Sequence, residues 1–387
     1  MCLDKVEAAI EDVRRGEMVI VVDEEDRENE GDLTIPAEKV TPDVINFMAT
    51  YGRGLICMPM TGERLDVLKI PQMVTDNQSL HGTAFCVSIE ARRNVSTGIS
   101  AADRAETVLT AIHPDTQPDD LIRPGHIFPL RAKSGGVLER AGQTEAAVDL
   151  ARMAGLAPAG VICEIMNPDG TMARMKDLEK FSEEHGIRII SVVDLIKYRL
   201  KNERFIKRLE ILPFECEYGR FMLYLYESQL DGTRHLAFVK GDIESSEPVL
   251  LRVQVETVLS DVFRSSQTHF GGEVKTCLKM IEKEGRGVLV YLRLRNPEQN
   301  LLREVLEHKG EIQRRTDYSS FKDVGIGGQI VSDLCLHDVK VLTNHPKKMP
   351  GLEGFDINVV EQLAIASNGQ QKGSGKGAVV GTVSQEV

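Results

Sequence analysis

Seven carboxylates crowd the ten residues Asp23-Glu24-Glu25-Asp26-Arg27-Glu28-Asn29-Glu30-Gly31-Asp32, directly after the apolar run Met18 to Val22. Like charges at this density repel, so in an ordered site they call for a counter-charge: a divalent cation, a basic partner or a cationic substrate. Glu28, Glu30 and Asp32 alternate, and an extended backbone would turn them to one side as hard oxygen ligands suited to Mg²⁺ or Mn²⁺. The bland alternative is a solvated acidic turn, and the stretch Asp23 to Asp26 is expected to be mostly solvated.

Three further groups could do chemistry. Arg140-Ala141-Gly142-Gln143-Thr144 stands at a helix start, where free N–H groups, an Arg fork and a hydroxyl suit phosphate; a plain N-cap by Thr144 is the alternative. Arg123-Pro124-Gly125-His126 places an imidazole after a Pro-Gly turn, suited to general acid or base work unless it is merely structural. Glu164 lies among Val161, Ile162, Cys163, Ile165 and Met166, so its carboxyl is paired, perturbed for proton transfer, or outward-facing on a strand.

The elements that must hold these groups alternate. Leu3, Val6, Ala9, Ile10 and Val13 recur at helical spacing, Gly16 breaks the pattern, and Met18 to Val22 reads as a buried strand. Helices are expected over 43–51, from Ser100, over 144–156 and over 178–185, with strands over 54–58, 83–89, 160–165 and 187–191. Six basic residues between Lys197 and Arg208 read as a solvated helical connector rather than a nucleic-acid site, and the domain boundary is placed there. The second half is strand-rich, at 220–227, 235–239, 249–258 and 288–294, with a helix over 272–283. The fold class is therefore α/β (α+β), with domains 1–202 and 203–368 and a disordered Gly/Ser/Gln tail over 369–387.

Composition narrows the function. A net charge of −12 over 387 residues argues against a nucleic-acid binder and against anionic membranes. No apolar run approaches membrane-spanning length and the N-terminus lacks a signal pattern, so a cytoplasmic enzyme is expected. The seven scattered cysteines imply reduced thiols and no zinc cluster.

In order, DEEDRENEGDL, TGISAADRAETV, RPGHIFPLRAKSGGVLERAGQTEAAVDLARMAGL and VICEIMNPDGTMAR resemble 3,4-dihydroxy-2-butanone 4-phosphate synthase of riboflavin biosynthesis, over about residues 3 to 200. The resemblance implies conversion of ribulose 5-phosphate into formate and the four-carbon phosphate, with Mg²⁺ or Mn²⁺, by a three-layer homodimeric enzyme. It implies that Arg27 and Glu28 contact substrate, that Glu28 holds the metal and that Asp32 binds sugar hydroxyls. Arg140, Ala141, Gly142, Gln143 and Thr144 would cradle phosphate, with His126 and Glu164 serving the proton transfers. The family carries a second metal-ligating histidine where this chain has Gln143, which keeps an oxygen donor but cannot act as acid or base. A sugar-phosphate-binding partner without turnover is the alternative this departure leaves open.

Residues 203 to 365 resemble GTP cyclohydrolase II, through HLAFVKGDI, EPVLLRV, DVFRSS, VGIGGQIVSDL and VLTNHPKK. By that resemblance the three zinc cysteines fall on Thr257, Thr268 and Phe270, and the catalytic arginine falls on Pro297. Glu284-Gly285-Arg286-Gly287 looks like the missing motif but precedes the strand, and reads as a turn. The second domain is thus expected to bind no zinc and to lack cyclohydrolase activity.

Overall fold

A computed structural model describes residues 4–24, 27–244, 247–263, 273–294, 297–309, 318–344, 355 and 357–365. The chain divides into two units, each built on a seven-stranded sheet. The first comprises Met1–Lys207 with Glu227–Thr233 and Arg315–Gln329. No helix among the described residues is long and apolar enough to cross a membrane.

In chain order the first unit runs α1 (Val6–Arg15), β1 (Val19–Val22), β2 (Gly31–Pro36), α2 (Pro42–Phe47), β3 (Cys57–Met60), α3 (Gly62–Val67), β4 (Ile89–Ala91) and α4 (Ala101–Ile112). It continues with β5 (Leu121–Arg131), α5 (Gln143–Met153), β6 (Gly160–Glu164), α6 (Met175–His185), β7 (Arg188–Ser191) and α7 (Val192–Asn202). The sheet order is β4-β5-β3-β6-β2-β1-β7. Strand alternation assigns its two faces. Leu33, Ile35, Val161 and Cys163 face a core shared with α2, α4 and α6, whereas Ile162 and Cys57 meet Ala147 of α5 on the other side. Helices α1 and α7 join α5 there, completing three layers.

The expected helices from Ser100 and over 178–185 are present, and Ser100 caps α4 by accepting the Asp103 N–H. Four expectations need correction. The helix expected over 43–51 is α-helical only to Phe47 and widens into a π-turn over 48–52. The 83–89 segment makes only isolated bridges before β4. Arg123-Pro124-Gly125-His126 lies within the long strand β5, not in a turn, because Gly125 lets the backbone press against Ile89 and Glu90 of β4. The basic connector is not simply solvated: Arg199 is 2% exposed, donating to Asp149 at 2.7 Å, to the Gly135 carbonyl at 2.9 Å and to Glu203.

The second unit carries β8 (Ile206–Cys216), β9 (Gly219–Ser228), β10 (Arg234–Lys240), β11 (Val249–Val255), α8 (Glu273–Glu284), β12 (Gly287–Leu292), α9 (Pro297–Lys309), β13 (Asp338–Leu342) and β14 (Asn358–Leu363), while α10 (Tyr318–Asp333) belongs to the first unit as far as Gln329. Its sheet order is β14-β13-β11-β12-β10-β9-β8. Gly285, at φ +77°, makes the expected turn between α8 and β12, and Pro297 opens α9, where its missing N–H costs nothing. Thr268, Phe270 and the 369–387 tail lie outside the described residues.

Candidate active site

The acidic loop joins β1 to β2 and is organised from within. Asp23, expected to be solvated, has no exposed side-chain surface; it pairs with Arg27 at 2.6 Å and accepts the N–H groups of Glu28 (3.1 Å) and Glu30 (2.9 Å). A buried carboxylate with three charged or backbone donors replaces water, and this pulls the loop into a hook. Asn29 turns through φ +55°, so Glu28 and Glu30 are brought together by a left-handed residue and not by an extended chain. Arg174, from the GTMAR segment, donates to the Glu28 and Asn29 carbonyls. Glu25 and Asp26 lie outside the described residues.

Asp32 of β2 and Glu164 of β6 are register partners in the antiparallel ladder, so their side chains share the α5 face. Burial, then the nearby Glu164, push the Asp32 carboxyl well above its ordinary range. Burial likewise raises Glu164, opposed by the Leu55 N–H that its Oε2 accepts at 2.8 Å. Burial and Glu28 raise Glu30. Two carboxyls so placed cannot both ionise cheaply and tend to hold a proton between them, the state a proton-transfer site needs. Gly54 is required here, because a Cβ would stand 2.5 Å from both the Glu164 carbonyl and its Oε2. Glu164 lines a cavity of about 430 Å³ with Glu30, Arg53, Gly54, Leu55, Met166 and Met172. Burial raises the Cys163 thiol to about 12, keeping it out of nucleophilic chemistry.

The α5 N-terminus supplies the opposite polarity. Its N-cap is Gly142, not Thr144, so the N-cap supplies no side-chain oxygen to the first-turn N–H groups. Arg140 donates to Glu145 at 2.6 Å and to Thr83 at 2.9 Å, and Glu145 also accepts the Lys133 N–H. A Cβ at Gly142 would lie 2.5 Å from Arg140 Nη1 and 3.0 Å from Arg27 Nη2, so glycine admits two guanidinium groups over the helix end. Arg27 links this end to the acidic loop, donating to Gln143 Oε1 at 2.9 Å and pairing with Glu28 at 3.1 Å. Arg27, Glu28, Gly142 and Gln143 therefore meet in one place, as do Asp32 and Glu164.

His126 is held elsewhere on the sheet. Its Nδ1 is 2.7 Å from Glu90 Oε2, and no contact joins it to Glu28, Asp32 or Glu164 among the described residues. Glu90 was not singled out by sequence reasoning; the signal was the glycine of the STG segment, since Gly98, at φ +86°, leaves the space that the Glu90 carboxylate fills. Asp103 shapes that segment by accepting the N–H groups of Ser96 (3.1 Å) and Gly98 (2.9 Å). Asp23, Arg174 and Gly54 were also missed, because each acts through backbone groups that no motif spacing displays.

The donor set fits a hard divalent cation. No group of three or more His, Cys, Asp or Glu side chains converges as a ready cage among the described residues. Mg²⁺ does not require one: it is held by one or two carboxylates and completes its shell with water and substrate oxygens, a role open to Glu28 beside Glu30. In the second unit, the Thr257 N–H donates to Asp261 Oδ2 at 2.9 Å, and Tyr291 donates to the same oxygen at 2.9 Å. Thr257, where the resemblance puts the first zinc cysteine, is thus held through its backbone N–H.

Residues 7–198 match the family described as 3,4-dihydroxy-2-butanone 4-phosphate synthase, and residues 207–364 match GTP cyclohydrolase II. Riboflavin biosynthesis protein RibBA of Aquifex aeolicus is 49% identical over 372 residues, covering 93% of this chain and 92% of that one. Its counterpart from Bacillus mycoides is 45% identical, covering 93% of each. Among solved structures, RibBX of A. baumannii, a two-domain 3,4-dihydroxy-2-butanone 4-phosphate synthase, superposes with a TM-score of 0.77 at 39% identity, covering 94% of this chain and 100% of that one. A 3,4-dihydroxy-2-butanone 4-phosphate synthase in complex with two magnesium ions superposes with a TM-score of 0.50 at 42% identity, covering 52% of this chain and 98% of that one. The chain belongs to the 3,4-dihydroxy-2-butanone 4-phosphate synthase family, in the two-domain form whose second half is related to GTP cyclohydrolase II.

Proposed function

We propose that the Asp32–Glu164 carboxyl pair, the Glu28 hook and the α5 N-terminus together convert D-ribulose 5-phosphate to formate and L-3,4-dihydroxy-2-butanone 4-phosphate. The observation that carries this division of labour is the separation of charge within one site: perturbed carboxyls at the strand ends, guanidinium groups and first-turn N–H groups at the helix start. Phosphate binds over Gly142, where Arg140 and the first turn of α5 neutralise it. That anchoring extends the sugar toward Asp32, which accepts from its hydroxyls, and toward Glu164, whose carboxyl, raised by burial, can take and return a proton. Glu28, beside Glu30, would hold a divalent cation, Mg²⁺ or Mn²⁺, which when bound would supply Lewis-acid chemistry at the substrate oxygens. His126, oriented by Glu90, is the second proton-transfer group, with its Nε2 left for substrate when Nδ1 donates to the carboxylate.

The protein works as a cytoplasmic homodimer on a small sugar phosphate, with no nucleic acid or membrane in its reaction. The second unit makes no cyclohydrolase product, given Thr257 where the resemblance puts a zinc cysteine and Pro297 at a helix start, and serves as a scaffold from about residue 203 onward. Formate release with Mg²⁺ tests the assignment. Glu28→Gln and Glu164→Gln should each remove turnover while leaving the fold intact, and wild-type rates in either would remove that residue from the site.

A further inference from the structure

Gln143 opens α5 and is only 4% exposed. Its Oε1 accepts from Arg27 at 2.9 Å, and its Nε2 is buried with no hydrogen-bond partner. A guanidinium can only donate, so Arg27 fixes the carboxamide with oxygen toward itself and the NH₂ group away. The oxygen that could ligate a cation is therefore committed to a positively charged neighbour, while the end left free is a donor. Over the α5 start stand the donors Arg140 and Arg27, and the two carboxylates beside them, Glu145 and Glu28, are already paired to those guanidinium groups. A buried amide without an acceptor is costly and is retained where a ligand supplies one.

We propose that Gln143 donates through Nε2 to an oxygen of the bound sugar phosphate and is not a protein ligand of the divalent cation, which Glu28 anchors without it. The inference rests on the phosphate-binding role of the α5 N-terminus, and two separate titrations of the full chain keep the two apart. Mn²⁺ binding without substrate is followed by the loss of the free-ion spin-resonance signal, and inorganic phosphate and ribulose 5-phosphate binding by calorimetry. Gln143→Met keeps the shape and removes both polar ends; Gln143→Glu keeps the acceptor for Arg27 but exchanges the donor for a negatively charged oxygen that also repels phosphate, so it serves chiefly to read Mn²⁺. Both variants should bind phosphate and ribulose 5-phosphate about tenfold or more weakly, and neither should lose Mn²⁺ affinity. The phosphate result is decided by Gln143→Met, whereas unchanged phosphate binding in either folded variant counts against the donor role. A tenfold loss of Mn²⁺ affinity in Gln143→Met, or unchanged phosphate binding in a folded variant, overturns the proposal. Native chain that binds Mn²⁺ but neither phosphate probe overturns both the proposal and the phosphate-end reading, whereas phosphate binding that weakens only together with Mn²⁺ overturns the proposal alone.

Discussion

Replacing Asp32 by Asn should stabilise the first unit at alkaline pH and do so progressively less as the pH falls. Asp32 and Glu164 are direct register partners. Residues so paired on antiparallel strands place their Cβ atoms about 5 Å apart, which sets the scale of the separation between the two carboxyls. Two unit charges at that distance, at an effective dielectric of about 20, repel by about 3 kcal/mol. A shared proton relieves part of this, so Asp32→Asn should gain about 1–3 kcal/mol at pH 8. The sign follows from the raised carboxyls: their contribution to stability is fully present below the unfolded carboxyl range, near pH 4, and is lost as pH rises through the higher folded values. The native chain and the variant are compared by urea denaturation with chelator present, so that no cation screens the pair. Amide exchange of Leu33 on β2 and Val161 on β6 confines the readout to this sheet. A variant less stable than the native chain at pH 8, or a difference that does not change between pH 4 and pH 8, would refute the reasoning.

Gly54→Ala should cost about 1–3 kcal/mol and depress turnover, since its Cβ meets the Glu164 carboxylate; a melting scan and kcat together check both effects. Arg199→Met should strip Asp149 of its buried partner, leaving it the half-exposed Arg152 and the Val137 N–H, and cost up to about 3 kcal/mol in denaturant; a loss below about 1 kcal/mol would contradict that pairing. Purified chain should carry no stoichiometric zinc by elemental analysis, whereas one zinc per chain together with formate released from GTP would restore the second unit as an enzyme.

Much of this site was visible in residue type and order. The apolar run after Gly16, the helix following Gln143 and the buried stretch around Glu164 each carry their period openly, and they became β1, α5 and β6. What stayed hidden was geometry that period does not encode. Asp32-Leu33-Thr34-Ile35 alternates polar and apolar, yet its polar positions are buried as fully as its apolar ones, and that period does not give the register that sets Asp32 against Glu164. His126 followed Pro-Gly, a turn signal, yet here glycine serves close approach of β5 to β4. Asp23 looked like one more charge in an acidic run until two backbone N–H groups and Arg27 converged on it. Arg199 read as surface because its partner Asp149 is 50 residues away in sequence.

Formate release by the full native chain, Gln143 included, tests the central claim most directly. With ribulose 5-phosphate and Mg²⁺ the chain should release one formate per L-3,4-dihydroxy-2-butanone 4-phosphate formed, fall silent in chelator and recover when Mg²⁺ or Mn²⁺ is returned. Folded chain that binds ribulose 5-phosphate and Mg²⁺ yet releases no formate would contradict the account and leave a sugar-phosphate-binding protein in place of the enzyme.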